Sequence, residues 1–229
     1  MKIVGLEKLS LVDFDGYAAC TVFTGGCNFR CPFCHNGPLV LGVGALEEYS
    51  QDEIFAYLKK RAGILEGVVI TGGEPTLQKD LDVFIAKVKE LGFKVKLDSN
   101  GTAPAVLQNL IDKGLVDYIA MDIKSSKEGY PVATGVPFDS KIEESVKILL
   151  QGKVPYEFRT TLVHGLINEY DIRQMAKWVK GAQKFVFQRF VDREGCIEKG
   201  LQEMDKATAL CYVKIFAEEG INAVLRNYD

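Results

Sequence analysis

Three cysteines lie close together in the stretch Gly26-Cys27-Asn28-Phe29-Arg30-Cys31-Pro32-Phe33-Cys34-His35-Asn36, with the spacing C-x3-C-x2-C. Cysteine thiolates hold zinc or iron–sulfur clusters, and a closed zinc site takes four ligands. Cys27, Cys31 and Cys34 supply three, and no second C-x2-C pair completes the set. A half zinc site finished by His35 or a distant cysteine is the alternative. A cubane cluster has four irons, so three thiolates leave one iron open to a substrate or cofactor. That is the layout of a catalytic cluster rather than of a plain electron carrier.

Four further stretches carry polar residues of unusual type: Thr71-Gly72-Gly73-Glu74-Pro75, Asp98-Ser99-Asn100-Gly101, Met121-Asp122-Ile123-Lys124 and Arg159-Thr160-Thr161. Taken singly each has an ordinary explanation, a turn or a solvated ion pair. What joins them is their place in the pattern of elements. Strands are expected at 17–23, 67–71, 94–97, 118–123, 156–162 and 184–190, with a last short one at 223–225. The run Gly67-Val68-Val69-Ile70-Thr71 is apolar throughout, as in a parallel sheet covered on both faces. Apolar residues at helical spacing follow each strand, for example Leu81, Phe84, Ile85 and Val88, or Ile142, Val146, Leu149 and Leu150. Ser50 and Glu53 form a capping-box signature for the helix after the cysteine loop. Six successive β/α units with right-handed crossovers predict an α/β fold, a partial (β/α)6 TIM-like barrel, with a flat doubly wound sheet as the structural alternative. The cysteine loop and all four polar stretches then fall at the C-terminal ends of consecutive strands, where barrels of this kind build active sites.

The chain has 229 residues, enough for one sizeable domain spanning 1–229. Its charged (26%) and apolar (47%) fractions are those of a globular protein. A net charge of −3 argues against nucleic-acid binding by bulk electrostatics. No apolar run reaches membrane-spanning length, and the N-terminus lacks a signal-peptide core. Six cysteines, three of them clustered, suit a reducing cytoplasm better than a disulfide scaffold. Cys20, Cys196 and Cys211 stand alone and read as small buried apolar residues. His164 reads as a surface residue, and Lys59-Lys60-Arg61 as a solvated helix face open to an acidic electron donor.

The cysteine motif resembles the signature of the radical S-adenosylmethionine (SAM) superfamily. Cys34-His35-Asn36, Gly72-Gly73-Glu74-Pro75-Thr76, Leu97-Asp98-Ser99-Asn100-Gly101-Thr102, Met121-Asp122-Ile123-Lys124, Ala133-Thr134-Gly135 and Tyr156-Glu157-Phe158-Arg159-Thr160-Thr161 narrow the resemblance to glycyl-radical-enzyme activases. The chain is most similar to the longer variety of anaerobic ribonucleoside-triphosphate reductase activating proteins. The resemblance implies one [4Fe-4S] cluster on Cys27, Cys31 and Cys34, which reductively cleaves SAM to methionine and a 5′-deoxyadenosyl radical. It implies SAM contacts from Asn36, Glu74, Asp98, Lys124 and Arg159, and a monovalent cation held by Asp98, Ser99 and Asp122; Gly72 and Gly73, without a Cβ, let backbone approach the same ligand. A histidine that reaches SAM in the pyruvate formate-lyase activase is missing here, where the chain reads Phe187-Gln188-Arg189-Phe190, leaving Gln188 or Arg189 as its substitute. The implied partners are a glycyl radical enzyme, the anaerobic ribonucleotide reductase first, and a low-potential donor such as flavodoxin or ferredoxin. The competing functions are an activase of pyruvate formate-lyase or another glycyl radical enzyme, a radical SAM enzyme acting on a small molecule, and a non-catalytic metal module.

Overall fold

The computed structural model describes residues 1–228. Eight strands form one sheet whose spatial order follows the chain. Strands β2 (Ala19–Thr24), β3 (Gly67–Gly72), β4 (Lys94–Ser99), β5 (Tyr118–Asp122), β6 (Tyr156–Leu162), β7 (Phe185–Arg189) and β8 (Ala223–Arg226) all run parallel. Helices return the chain between them: α2 (Gln51–Arg61), α3 (Leu81–Glu90), α4 (Pro104–Asp112), α6 (Ser140–Leu150), α7 (Glu169–Trp178) and α8 (Lys206–Glu218). The capping box at Ser50 and Glu53 is formed as read. Two one-turn helices, α1 (Gly37–Leu41) and α5 (Tyr130–Thr134), escaped the periodicity because five residues are too few to show a repeat.

The first strand is a correction. The sequence reading begins the sheet at residue 17, but β1 (Ile3–Ser10) precedes it and pairs antiparallel with β2. Its stretch Leu6-Glu7-Lys8-Leu9 carries charge because it lies on an edge, and it lacks the apolar run that marks the central strands. The sheet does not close: β1 and β8 are its two edges. The result is the open form of a TIM-like barrel, with helices over the outer face and the main hydrophobic core between them and the sheet.

The concave side is charged. Along β4 to β6 every second residue faces inward, which places Lys96, Asp98, Asp122, Glu157 and Arg159 on one side. At the N-terminal end of the strands the cavity is plugged by Phe14, packed on Tyr17, Ala19 and Val69, with Gly67 leaving room for the ring. Just above the plug Glu157, 1% exposed, is gripped bidentately by Arg226 at 2.9 and 3.1 Å and by Lys184 at 2.9 Å. Burial alone would raise its pKa, but Arg226 and then Lys184 outweigh it and hold the carboxyl at about 2.

A depressed carboxylate stabilises the fold above its unfolded pKa, and that contribution is lost as pH falls through the folded value. Stability should therefore decline between about pH 4.3 and 2, and Glu157→Gln should remove part of that slope while costing about 3 kcal/mol at neutral pH. Urea unfolding at pH 7 and pH 3 measures both. An unchanged slope in the variant would show that this ion set does not govern acid stability.

Candidate active site

All twelve residues singled out from sequence line one cavity of about 870 Å³, its mouth included, at the C-terminal ends of the strands: Cys27, Cys31, Cys34, Asn36, Gly72, Gly73, Glu74, Asp98, Ser99, Asp122, Lys124 and Arg159. Parallel pairing explains part of the convergence. Asp122 on β5 sits in register with Arg159 on β6, and their side chains meet through Nε and Oδ1. Arg159 also reaches Asp98 on β4, Nη2 to Oδ2 at 3.1 Å, so one guanidinium bridges two carboxylates. Lys124 Nζ lies 2.8 Å from Asp122 Oδ2. Burial alone would push Asp122 up, but Arg159 and Lys124 hold its carboxyl down at about 2. Burial disfavours the charged forms of Lys124 and Arg159, yet the carboxylates, Asp122 first, keep both firmly protonated. Below them Lys96 Nζ stands 3.6 Å from Asp98 Oδ1 and donates to the Asp13 carbonyl. That Oδ1 is buried and has no hydrogen-bond partner.

The two glycines are required by close approach. Gly72 has φ +120°, and a Cβ there would run into the Thr24 backbone; a Cβ on Gly73 would overlap the carbonyl of Gly26. The turn is thus fastened to the cysteine loop, with Gly73 N–H donating to Thr24 O and Glu74 N–H to Gly26 O, both at 2.8 Å. Glu74 is 1% exposed, and burial raises its pKa. Its Oε1 accepts from the Thr76 amide and hydroxyl and from Ser99 Oγ, and its Oε2 from the Asn100 amide. Glu74 therefore ties the end of β3 to the end of β4.

The cysteine loop has no regular structure and is held from outside. On the β4 side Asn100 Nδ2 donates to Asn28 Oδ1 at 2.8 Å, and Asn28 Nδ2 to Thr102 Oγ1 at 3.0 Å. The Arg30 amide donates to the Thr134 carbonyl at 2.8 Å, where α5 ends at Gly135. The Phe29 amide points at Cys27 Sγ at 3.4 Å. Asn36 Nδ2 reaches Gly72 O at 3.4 Å. Burial pushes all three thiols up, Cys31 to about 12, with Lys124 pulling each of them down. Among the described residues no three metal-ligating side chains converge on a point, so the thiols line the cavity without forming a single-ion site.

The remaining readings divide. Gln188 lines the cavity, whereas Arg189 turns outward to Glu203 at 2.7 Å. His35 also lines the cavity, but its ring stacks on Phe190 at 5.4 Å and its Nε2 meets Val191 O at 2.9 Å; burial lowers its pKa. His164 is exposed, as read. Cys20 and Cys196 are buried, but Cys211 is exposed on α8, against expectation: it falls off the apolar stripe of its helix. Lys59, Lys60 and Arg61 occupy the last turn of α2, where they complement the helix dipole at the end remote from the cysteine loop. Asn100 and Lys96 were missed as site residues. Asn100-Gly101 reads as a turn, and a lysine inside a strand reads as solvent-facing; only its period-two spacing to Asp98 hints otherwise.

A family model described as the radical SAM superfamily matches residues 21–179, and the chain belongs to that superfamily. A Methanocaldococcus jannaschii protein provisionally named a glycyl-radical enzyme activating enzyme is 35% identical over 86% of this chain and 83% of its own length. The 7-carboxy-7-deazaguanine synthase of Koribacter versatilis is 31% identical over 62% of each chain. In fold alone, a domain of the pyruvate-formate lyase-activating enzyme from Bacteroides vulgatus superposes with a TM-score of 0.59 at 16% identity, over 71% of this chain and 99% of that one. Membership brings a [4Fe-4S] cluster and SAM as cofactors, and makes the chain a radical SAM enzyme. The residues present suit both groups: three thiols line the same cavity as a buried set of carboxylates and cations, and one carboxylate oxygen, Asp98 Oδ1, has no hydrogen-bond partner.

Glu74→Ala should leave the Thr76, Ser99 and Asn100 donors buried without an acceptor, at about 1–3 kcal/mol for each unsatisfied group. A thermal melt of the cluster-free protein should fall by well over 5 °C, whereas an unaltered melt would deny Glu74 its part in joining β3 to β4.

Proposed function

We propose that this chain is a radical SAM activase that installs a glycyl radical on a partner enzyme, with anaerobic ribonucleoside-triphosphate reductase as the partner. One observation carries the reading: three thiols and a buried, paired set of carboxylates and cations face each other across a single open cavity. The 35%-identical relative, matched over most of both chains, supports the activase assignment. When bound, the reduced cluster and SAM supply one electron and a cleavable carbon–sulfur bond, giving methionine and a 5′-deoxyadenosyl radical.

The residues divide the work. Cys27, Cys31 and Cys34 would hold the cluster as thiolates; burial raises the pKa of all three thiols, and the nearby Lys124 lowers it. Lys124 and Arg159 face the SAM carboxylate: both are fixed cations, and their carboxylate partners hold them in place rather than leaving them to swing. Gly72 and Gly73 would offer backbone carbonyls to the SAM ammonium, with Asn36 held against the Gly72 carbonyl, Glu74 as the carboxylate behind the turn and Gln188 on the cavity wall. Asp98, Asp122 and Ser99 would hold a monovalent cation beside the SAM carboxylate; Asp98 Oδ1 has no hydrogen-bond partner but faces Lys96 Nζ at 3.6 Å, and Ser99 would join by turning its hydroxyl away from Glu74. The electron comes from a low-potential donor such as flavodoxin or ferredoxin.

A second reading has one observation in its favour. The relative named 7-carboxy-7-deazaguanine synthase is 31% identical over 62% of this chain. On that reading a small molecule, not a protein glycine, is the hydrogen donor.

Lys124→Ala should weaken SAM binding to the cluster-loaded protein about tenfold to a hundredfold, the loss of one charged hydrogen-bond partner at about 1.5–3 kcal/mol. Equilibrium binding measures it, and an unchanged affinity would remove Lys124 from the SAM site. Function is tested by mixing reduced, cluster-loaded protein, SAM and an anaerobic ribonucleotide reductase without oxygen and recording the electron paramagnetic resonance spectrum. A doublet that collapses on deuterating the target glycine supports the activase. No signal with any glycyl radical enzyme, together with SAM cleavage stimulated by a small molecule, moves the assignment to the second reading.

A further inference from the structure

The cysteine loop is fastened on the β4 side by Asn100 and near α5 by Thr134. Its outer side, around Cys34, is fastened by a segment to which no role has been given so far. The chain between β7 and α8 crosses back over the loop and bonds it backbone to backbone. Ile197 N–H donates to Cys34 O at 3.2 Å, Glu198 N–H to Pro32 O at 2.8 Å, and Gly37 N–H to Gly195 O at 3.0 Å. His35 completes the contact through Phe190 and Val191. At two positions, Gly37 and Gly195, the fit leaves no room for a side chain. A Cβ at Gly37 would lie 2.7 Å from Gly195 O, and one at Gly195 would strike the carbonyl of His35. Neither glycine has a positive φ, so neither is there to relieve backbone strain. What each position excludes is the methyl group itself.

We propose that residues 191–198 form a clamp on the third cysteine: seated through Gly37 and Gly195, the clamp fixes the backbone of Cys34 and covers the outer side of the cysteine loop. Cys196 lies buried within it, its Sγ accepting from the Arg193 amide at 3.4 Å and its amide donating to the Arg193 carbonyl at 3.0 Å, so the segment is folded on itself. Gly195 and Gly37 are on this account positioning residues. Neither lines the cavity; they act by setting where the Cys34 thiol stands.

The clamp as a determinant of cluster retention rests on the proposed reading of Cys34 as a cluster ligand; the clamp as a backbone contact does not. Gly195→Ala and Gly37→Ala, made separately in the full chain, test both. In the cluster-free protein, the amides of Ile197 and Glu198 should be protected from hydrogen exchange in the wild type and lose protection in either variant, with the far-UV circular dichroism unchanged. After anaerobic reconstitution, an iron chelator should bleach the cluster about tenfold faster in either variant, the usual scale for losing a group that orients a ligand. Exposed amides at 197 and 198 in the wild type, or wild-type exchange and bleaching rates in both variants, would overturn the proposal. Faster exchange with no cluster formed even in the wild type would keep the backbone clamp and instead remove the cysteine assignment beneath it. Two variants are used because each disturbs the contact from a different side, so the misfolding of one leaves the other to decide.

Discussion

A single guanidinium organises the cavity. Arg159 lies between Asp98 and Asp122, on three adjacent strands, and burial makes each charge depend on the opposite charge beside it. Buried ion pairs rarely add net stability, because desolvation offsets their attraction, but breaking one is costly. The consequence is geometric. Once Arg159 is placed, both carboxylates are oriented, and Lys124 follows Asp122. Sheet register sets the arrangement, since a slip of one residue on β6 would turn Arg159 to the helical face and bring Phe158 or Thr160 inward.

Beneath this set the barrel interior remains ionic. Lys96 stands between the upper carboxylates and the lower group of Glu157, Arg226 and Lys184, so charges alternate in sign down to the aromatic plug at Phe14. The apolar core sits on the other side of the sheet, under the helices. The two faces thus have separate tasks: the outer one supplies the hydrophobic free energy, and the inner one spends part of it on holding charges where a ligand meets them. The irregular loop carrying the cysteines has no ladder of its own and takes its shape from neighbours on β4, on α5 and beyond β7.

Much of this was legible in the sequence, for physical reasons that also explain the gaps. Buried parallel strands such as Val68-Val69-Ile70 are apolar runs bounded by turns, and the helices between them repeat at 3.6 residues; both signals are local. β1 was missed because an edge strand keeps charge and shows no such run. The residues that line the cavity could be picked out because strand ends are recognisable and polar residues cluster there in unusual types. Asn100 and Lys96 were overlooked because their roles are set by partners 72 residues away in one case and by an inward-facing strand position in the other. The segment around Gly195 carried no signal at all: a glycine needed for want of space looks, in a sequence, like any loop glycine.

The unclosed sheet has a mechanical consequence. In a complete barrel, strand number and shear together fix the radius. Here a seam separates β1 from β8, and part of its β1 margin is already occupied, since Tyr49 donates its amide to Ile3 O. The wall is a split ring. It can tighten or relax its curvature by twisting strands against one another, with every inter-strand hydrogen bond intact. The side chains that meet at Arg159 stand on β4, β5 and β6, strands paired on both sides, so the seam borders none of them.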